Sequence, residues 1–234
     1  MGTGKVAIVM GTGGPIDAAL ARAFVQEQIS AELVEHNTSK PIVSDQWRTT
    51  TIDITNEEEV RQAIQAIAKK LQKVDYLVTC PDLRLQVAAT DLADPQWEDS
   101  TSINLTSIFL ICKHVLPVMV KQRFGRIVNV TSVAAHTGAF HGAAYSAAKA
   151  ATIGFTKALA REVADHGITV NLVSAGLVGD GSLPFRQDSE GTSIPLGRFG
   201  RWEEVVEMVV LLVSDRVSYV TGQTIHVNGG LFMP

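Results

Sequence analysis

Residues 125–149 read GRIVNVTSVAAHTGAFHGAAYSAAK. The apolar run at 126–130 predicts a buried strand, and Ser132 follows the carboxyl end of that strand. From residue 143 onward the stretch is rich in alanine, which favours a helix. This order predicts a strand that presents the Ser132 hydroxyl at its end and then leads through a loop into a long helix.

The rest of the chain repeats this alternation of apolar runs and helical periodicity. Strands separated by helices predict a parallel sheet that is covered on both faces, with right-handed crossovers. The predicted fold class is therefore α/β, a Rossmann-type doubly wound sheet of about seven strands, in which ligands bind beyond the carboxyl ends of the strands. The strands are predicted at 5–10, 32–35, 49–54, 74–80, 126–130, 168–173 and 224–227. The helices are predicted at 16–28, 56–71, 103–122 (interrupted at Pro117), 143–164 and 202–214.

No repeat or linker divides the sequence, and its 234 residues suit one domain over 1–234. The longest segment without a predicted element is 179–195, which is rich in Gly, Ser and Pro. Its position favours a mobile lid over a substrate site. A solvated surface loop without a role is the alternative.

Composition favours a small-molecule partner. The net charge of −4 gives no electrostatic case for nucleic acid or for an anionic membrane. No apolar run approaches the ~20 residues that span a bilayer, so a soluble, cytoplasmic protein is expected. Cys80 and Cys112 lie within apolar runs, which favours buried free thiols over a disulfide. The spacing of His, Cys and carboxylate residues predicts no metal site.

Three side chains of the opening stretch could act together on a proton. Tyr145 and Lys149 are four residues apart on the predicted helix, so they share one face. A neighbouring ammonium favours the phenolate form, which would lower the pKa of Tyr145 from its usual value near ~10. Ser132 adds a hydroxyl that could bind a developing oxyanion. The spacing of Tyr145 and Lys149 alone is also common on solvated helices.

Five specific motifs occur in order along the chain. They are GRIVNVTS (125–132), AAYSAAKAA (143–151), GITVNLVSAG (167–176), IPLGRFG (194–200) and YVTGQTIHVNGG (219–230). With them, the sequence resembles the short-chain dehydrogenase/reductase family, and within it the 3-oxoacyl-carrier-protein reductase type. The resemblance covers almost the whole chain.

The resemblance implies a function for particular residues. Tyr145 would be the general acid or base, Ser132 the partner of the carbonyl oxygen, and Lys149 the cation that tunes Tyr145 and holds a ribose. Asn104 would maintain a water path to Lys149. The implied cofactor is NAD(P)(H), with NAD and NADP undecided, and its implied contacts are Gly11, Gly13, Ile16, Asn37, Asp53 (at the adenine), Ile54, Tyr145, Lys149, Gly176 and Val178.

The cofactor turn departs from the family pattern. Residues 10–17 read MGTGGPID, so that Pro15 and Asp17 stand where the second and third glycines of the family's turn are expected. Pro15 offers no N–H to a pyrophosphate, and Asp17 places a negative charge beside it. Gly13 and Gly14 could form a shifted phosphate loop instead. Residues 79–82 read TCPD, which places another Pro and Asp in the expected cofactor cleft.

Three functions are therefore open. The first is an oxidoreductase that moves hydride between NAD(P)(H) and a carbonyl or hydroxy compound, free or carrier-linked. The second is a non-redox enzyme, such as a dehydratase, isomerase or cyclase, that uses the same Ser132, Tyr145 and Lys149. The third is a catalytically silent partner subunit. The resemblance also implies a homo-oligomer, a tetramer or a dimer, formed through the helices at 103–122 and 143–164 and the C-terminal strand.

Overall fold

The computed structural model describes residues 4–37, 41–179 and 194–234. Seven parallel strands form one sheet in the order β3-β2-β1-β4-β5-β6-β9. These strands are β1 Val6–Gly11, β2 Ser30–His36, β3 Arg48–Ile52, β4 Tyr76–Cys80, β5 Gly125–Ser132, β6 Ile168–Ala175 and β9 Thr224–Val227. The predicted Rossmann-type parallel sheet is confirmed, although β3 ends two residues before the predicted Ile54.

Helices cover both faces of the sheet. They are α1 Pro15–Gln26, α2 Glu57–Leu71, α3 Asp94–Thr101, α4 Ser107–Gln122, α5 Ala134–Thr137, α6 Ala143–Val163 and α7 Trp202–Val213. Alternate residues of β1 point to opposite faces, because successive side chains of a strand do so. Ile8 and Met10 join the apolar cluster beneath α2, α4 and α6. Ala7 and Val9 join the cluster beneath α1 and α7.

The helix before β5 differs from the prediction. It begins at Asp94 rather than at residue 103, and a π-helical turn, Ser102–Thr106, joins α3 to α4. The first turns are polar and lie at the surface, so they carry no apolar stripe that would predict a helix. Pro117 does not interrupt α4. It is exposed, so water can satisfy the backbone groups that the proline leaves free.

The helical stretch Asp94–Gln122 bears on the expectation that no segment spans a membrane. By length and composition it is apolar enough to cross a bilayer, and it is the one such helix among the described residues. Its buried side chains, including Ile108, Ile111 and Met119, belong to the apolar cluster on one face of the sheet. Its apolar character is therefore accounted for by packing against the sheet.

Two short elements were not predicted. Val178–Gly179 (β7) pairs in parallel with Gly200–Arg201 (β8) in a separate two-stranded sheet. These strands are too short for a hydrophobic period to reveal them. Most of the predicted lid, residues 180–193, lies outside the described residues.

The order of strands changes direction between β1 and β4, which is where ligands bind in doubly wound sheets. The register pairs Gly11, at the end of β1, with Cys80, at the end of β4. The turn after β1 and the loop after β4 therefore lie side by side at the carboxyl edge of the sheet.

Candidate active site

A cavity of about 320 Å³ opens at this edge of the sheet. It brings together residues from four segments: the turn after β1, the loop after β4, the end of β5 with α6, and the end of β6. Six predicted site residues line it, namely Ile16, Ser132, Tyr145, Lys149, Gly176 and Val178. Cys80, Asp82, Arg84 and Trp202 also line it.

Tyr145 is held by an acidic residue from the loop after β4. Its hydroxyl donates a hydrogen bond of 2.7 Å to Oδ1 of Asp82. Burial and the negative charge of Asp82 raise the pKa of Tyr145, although Arg84 and a side-chain hydrogen bond with Ser132 oppose this change. The prediction that Lys149 lowers the pKa of Tyr145 below its usual value is therefore wrong in this arrangement. Tyr145 is a neutral proton donor at working pH rather than a phenolate.

Lys149 is buried on the same helix face and is directed toward the same loop. Its ammonium donates a hydrogen bond to the carbonyl oxygen of Pro81 and lies 3.6 Å from Oδ1 of Asp82. Burial lowers the pKa of Lys149, and the charge of Asp82 opposes that change. Lys149 thus serves as the counter-ion of Asp82.

Asp82 also binds a second cation. Nε of Arg84 donates a hydrogen bond of 2.8 Å to Oδ2 of Asp82, and the guanidinium lies 5.8 Å from the centroid of the Tyr145 ring. Burial raises the pKa of Asp82, but Lys149, Arg84 and the bond from Tyr145 outweigh burial, and the pKa lies below its usual value. Asp82 is therefore a carboxylate that accepts hydrogen bonds from the Tyr145 hydroxyl and the Arg84 guanidinium.

Ser132 is positioned by the end of β5. Its hydroxyl oxygen accepts a hydrogen bond of 3.2 Å from the N–H of Ala134, at the start of α5. Next to it, the Thr131 hydroxyl donates a bond of 3.0 Å to the carbonyl oxygen of Lys149, which joins β5 to α6. Strand and helix are thereby fixed where Ser132 and Tyr145 face the same cavity.

Asn104 lies behind the cavity, in the π-helical turn, and is fully buried. Its amide nitrogen donates to the carbonyl oxygens of Leu83 and Ser100, each at 2.9 Å. Its carbonyl oxygen accepts a bond of 3.0 Å from the N–H of Leu83. Asn104 thus fixes the loop whose carbonyl oxygen at Pro81 binds Lys149, and its connection to Lys149 runs through that loop.

The turn between β1 and α1 is occupied by its own acidic side chain. Oδ2 of Asp17 accepts hydrogen bonds from the N–H groups of Gly13 (2.8 Å) and Gly14 (3.0 Å). The thiol of Cys80 lies 2.9 Å from Oδ1 and donates to it. The alternative phosphate loop at Gly13 and Gly14 is therefore not available in this arrangement.

The predicted adenine-side residues lie apart from this cavity. Oδ1 of Asp53 accepts bonds from the N–H and hydroxyl of Thr55, at 2.9 and 2.6 Å. Ile54 is buried in the core. The N–H of Asn37 bonds the carbonyl oxygen of Ile52 across the ends of β2 and β3. Gly11 and Gly13 belong to the Asp17 turn and do not line the cavity.

A second cavity, of about 650 Å³, adjoins the first. The two share Arg84, Ser132 and Tyr145. The second is lined by apolar side chains, among them Leu85, Val133, Phe140, Leu177 and Leu231, and by polar ones that include Gln86, Thr137 and His141. A molecule in it would meet the hydroxyls of Ser132 and Tyr145 as well as apolar side chains.

Sequence comparisons agree with this architecture. A family model described as enoyl-(acyl carrier protein) reductase matches residues 16–232. The chain belongs to the short-chain dehydrogenase/reductase family. It is 36% identical to a 3-oxoacyl-[acyl-carrier-protein] reductase of Vibrio cholerae, over 98% of each chain. It is 34% identical to the enzyme of that name from Escherichia coli, again over 98% of each chain. It is 36% identical to nodulation protein G of Rhizobium meliloti, over 99% of this chain and 98% of that protein.

As a member of the short-chain dehydrogenase/reductase family, the chain is an enzyme of an oxidoreductase class. The family implies a nicotinamide dinucleotide. The residues at the turn after β1 do not fit its pyrophosphate in the described conformation, because the N–H groups of Gly13 and Gly14 are already bonded to Asp17. Asp82 likewise accepts the hydrogen bond of the Tyr145 hydroxyl and forms an ion pair with the ammonium of Lys149.

The sequence did not predict three hydrogen bonds of the site: Tyr145 to Asp82, Arg84 to Asp82, and Cys80 to Asp17. The acidic residue in TCPD was visible as a departure from the family pattern, but its contact with Tyr145 joins residues 63 positions apart. Arg84 carries no signal in the sequence. Among the described residues, no group of three His, Cys, Asp or Glu side chains could hold a metal ion.

Proposed function

We propose that the protein is an oxidoreductase that interconverts a carbonyl and a hydroxy group of a small molecule, with Tyr145 as its proton donor and acceptor. The observation that carries this proposal is the meeting of Ser132, Tyr145 and Lys149 on one cavity. The raised pKa keeps the Tyr145 proton in place until a substrate oxygen arrives. Membership of an oxidoreductase family favours this reaction class over others.

The proton step uses groups that are already positioned. A substrate oxygen replaces Asp82 as the partner of the Tyr145 hydroxyl, and Ser132 donates a second hydrogen bond to that oxygen. A nicotinamide dinucleotide, the cofactor class that the family implies, would supply a hydride to the carbonyl carbon. The proton moves from Tyr145 to the oxygen, and the phenolate that remains is stabilised by Lys149 and Arg84. In the opposite direction, Tyr145 takes the proton back from a hydroxyl group.

The experiment for this proposal is Tyr145→Phe, with turnover and substrate affinity measured separately. We expect kcat to fall by about 100-fold or more, because positioned acid–base groups contribute that much, while substrate affinity is retained. Tyr219→Phe is the matched control, because Tyr219 is fully exposed and lies away from both cavities. Turnover by Tyr145→Phe equal to that of Tyr219→Phe would contradict the proposal.

We propose further that the substrate is carrier-linked and extended. Support comes from the names of the relatives, which act on acyl carrier protein substrates, and from the apolar side chains that line the second cavity. A comparison of one short oxo compound as the free acid, a small thioester and the carrier-linked thioester tests this. The highest kcat/KM is expected for the carrier-linked form. Equal values for all three would contradict it.

A second candidate is a non-redox enzyme, such as a dehydratase, isomerase or cyclase, built on the same three residues. The occupation of the β1 turn by Asp17 favours it, because this chemistry needs no hydride carrier. Mass spectrometry of the product separates the two. A product that differs from the substrate by two hydrogen atoms indicates redox chemistry, and an isomer or a dehydrated product indicates the second candidate.

We also propose that the protein forms a homo-oligomer through α4, α6 and β9. In support, the large apolar side chain of Phe109 on α4 is 46% exposed, and β9 is an edge strand of the sheet. Light scattering of Phe109→Asp tests this. A smaller particle than the unsubstituted protein is expected, and an unchanged mass would contradict a role for this surface.

A further inference from the structure

The turn between β1 and α1 holds its own carboxyl group, that of Asp17. Gly14 is the N-cap of α1 and Asp17 is the third helical residue. One oxygen of the Asp17 side chain binds the N–H groups of both Gly13 and Gly14, which are the groups that a helix N-terminus offers to an external anion. The next residue, Pro15, has no N–H to add.

The carboxyl group is enclosed as well as bonded. Asp17 is 1% exposed, and its other oxygen receives the thiol of Cys80. A Cβ at Gly11 would lie 2.2 Å from Oδ2 of Asp17, so the end of β1 has room for this carboxyl only because residue 11 is glycine. Burial raises the pKa of Asp17, although its three hydrogen bonds oppose that change. An incoming phosphate oxygen would have to displace this group from its donors.

The surrounding charges are also unfavourable to a phosphate. Glu35, near the end of β2, is fully buried. It lies close enough to Asp17 for a charge on Asp17 to raise the pKa of Glu35. Asp82 adds a further carboxylate to the same cavity. Among the described residues, the cations that line the cavity are Lys149 and Arg84, and both are paired with Asp82.

We infer that the Asp17 carboxyl group takes the place of a dinucleotide pyrophosphate at this turn, so that the cleft excludes NADH and NADPH and accepts ligands that have no phosphate there. The inference bears on the proposed function, because a cleft that excludes both dinucleotides has no hydride donor for the interconversion of a carbonyl and a hydroxy group. If it holds, the non-redox enzyme built on the same three residues becomes the favoured candidate. The inference assigns to Asp17 a role in ligand discrimination that is separate from its effect on the stability of α1.

The test is titration of the full-length protein with NADH and with NADPH up to millimolar concentration, by calorimetry and by nicotinamide fluorescence. The unsubstituted protein is expected to give neither heat nor a fluorescence change. Asp17→Gly frees two N–H donors and removes a charge, so its affinity for at least one dinucleotide should rise by about tenfold or more. Asp17→Asn keeps the size of the side chain and removes the charge, and a smaller gain is expected.

Asp94→Gly is the matched control. Asp94 is likewise acidic and lies in the first turn of a helix, but it is exposed and away from the cavity. It should leave dinucleotide binding unchanged. Circular dichroism confirms that each variant is folded, and Asp17→Asn carries the test if Asp17→Gly fails to fold.

Two results would overturn the inference. Micromolar binding of NADH or NADPH by the unsubstituted protein would show that Asp17 does not exclude the dinucleotide. An Asp17→Asn or Asp17→Gly protein that folds and binds no more tightly than Asp94→Gly would show that Asp17 is not what closes the turn. Neither result depends on turnover, so both are distinguishable from failure of the Tyr145→Phe experiment.

Discussion

The hydroxyl of Tyr145 donates a hydrogen bond of 2.7 Å to Oδ1 of Asp82. This bond joins α6 to the loop after β4. Asp82 keeps its charge because Lys149 and Arg84 lie beside it, and Tyr145 keeps its proton because burial and Asp82 disfavour the phenolate. One carboxylate therefore sets the protonation state of the central residue of the candidate site.

Asp82→Asn should lower the pKa of Tyr145. The substitution removes the negative charge that disfavours the phenolate, while the burial of the ring remains. The tyrosinate absorbance of the protein during alkaline titration, minus that of the same protein carrying Tyr145→Phe, reports this group. Asp91→Asn, at an exposed position away from both cavities, is the control. A Tyr145 midpoint that is the same in Asp82→Asn and Asp91→Asn would rule out this role of Asp82.

The stability that Asp82 contributes should depend on pH in the acid range. Its pKa in the folded state lies below the ordinary value of 3.8 for an aspartate, so folding favours the ionised form. That contribution is fully present above the unfolded pKa and is lost as pH falls through the folded pKa. The difference in free energy of unfolding between the unsubstituted protein and Asp82→Asn should therefore be constant between about pH 6 and 7 and shrink below about pH 4. Urea unfolding over this pH range measures it, and a difference that grows toward low pH would contradict the assignment.

Asn104→Ala should loosen the loop after β4. It leaves the part-buried N–H and carbonyl groups of Leu83 and the buried carbonyl group of Ser100 without this partner. A loss of roughly 2–4 kcal/mol in the free energy of unfolding is expected from such unpaired groups. Hydrogen exchange at the Leu83 amide should also accelerate.

Asn56→Ala is the matched control for Asn104→Ala. Asn56 caps α2 by accepting bonds from the N–H groups of Glu58 and Glu59 at an exposed site. Its loss should cost about 1 kcal/mol without changing exchange at Leu83. If Leu83 exchanges equally fast in both variants, Asn104 does not hold the loop.

Ile111→Ala tests whether the apolar helix belongs to the folded core. Ile111 is 1% exposed within the cluster on one face of the sheet. Truncating a buried isoleucine should lower the free energy of unfolding by about 2–5 kcal/mol. Lys121→Ala, at an exposed position of the same helix, should change it by under about 1 kcal/mol. Equal small effects at both positions would indicate that the helix does not pack as described.

Much of the fold could be predicted because its main signals are local. Apolar runs such as 126–130 and the alanine-rich run from 143 each identify an element without reference to the rest of the chain. Asp94–Thr101 could not be recognised, since its turns are polar and exposed. The β7 and β8 pair is held by contacts between residues 22 apart in the sequence, such as Val178 with Gly200, which no local pattern reveals.

The site likewise contains residues that the sequence could group and contacts that depend on the fold. Ser132, Tyr145 and Lys149 could be grouped because they fall on one strand–loop–helix stretch. Asp17 was recognised as unfavourable to a phosphate, but its bonds to Gly13 and Gly14 depend on how the turn folds back on the first turn of α1. The reversal in the pKa of Tyr145 depends on Asp82, which reaches it only through the pairing of strands β1, β4 and β5.

The bonds of Asp17 to its own turn have a consequence for how the cleft responds to concentration. A side chain tethered three and four residues from its donors competes as an intramolecular ligand, because its binding costs no translational freedom, whereas a dissolved anion loses that freedom each time it binds. Adding sulfate, phosphate or free nucleotide to a solution of this protein should therefore leave the turn unchanged. The selectivity of the cleft is set within the chain, and only a change in the sequence or a rearrangement of α1 would alter it.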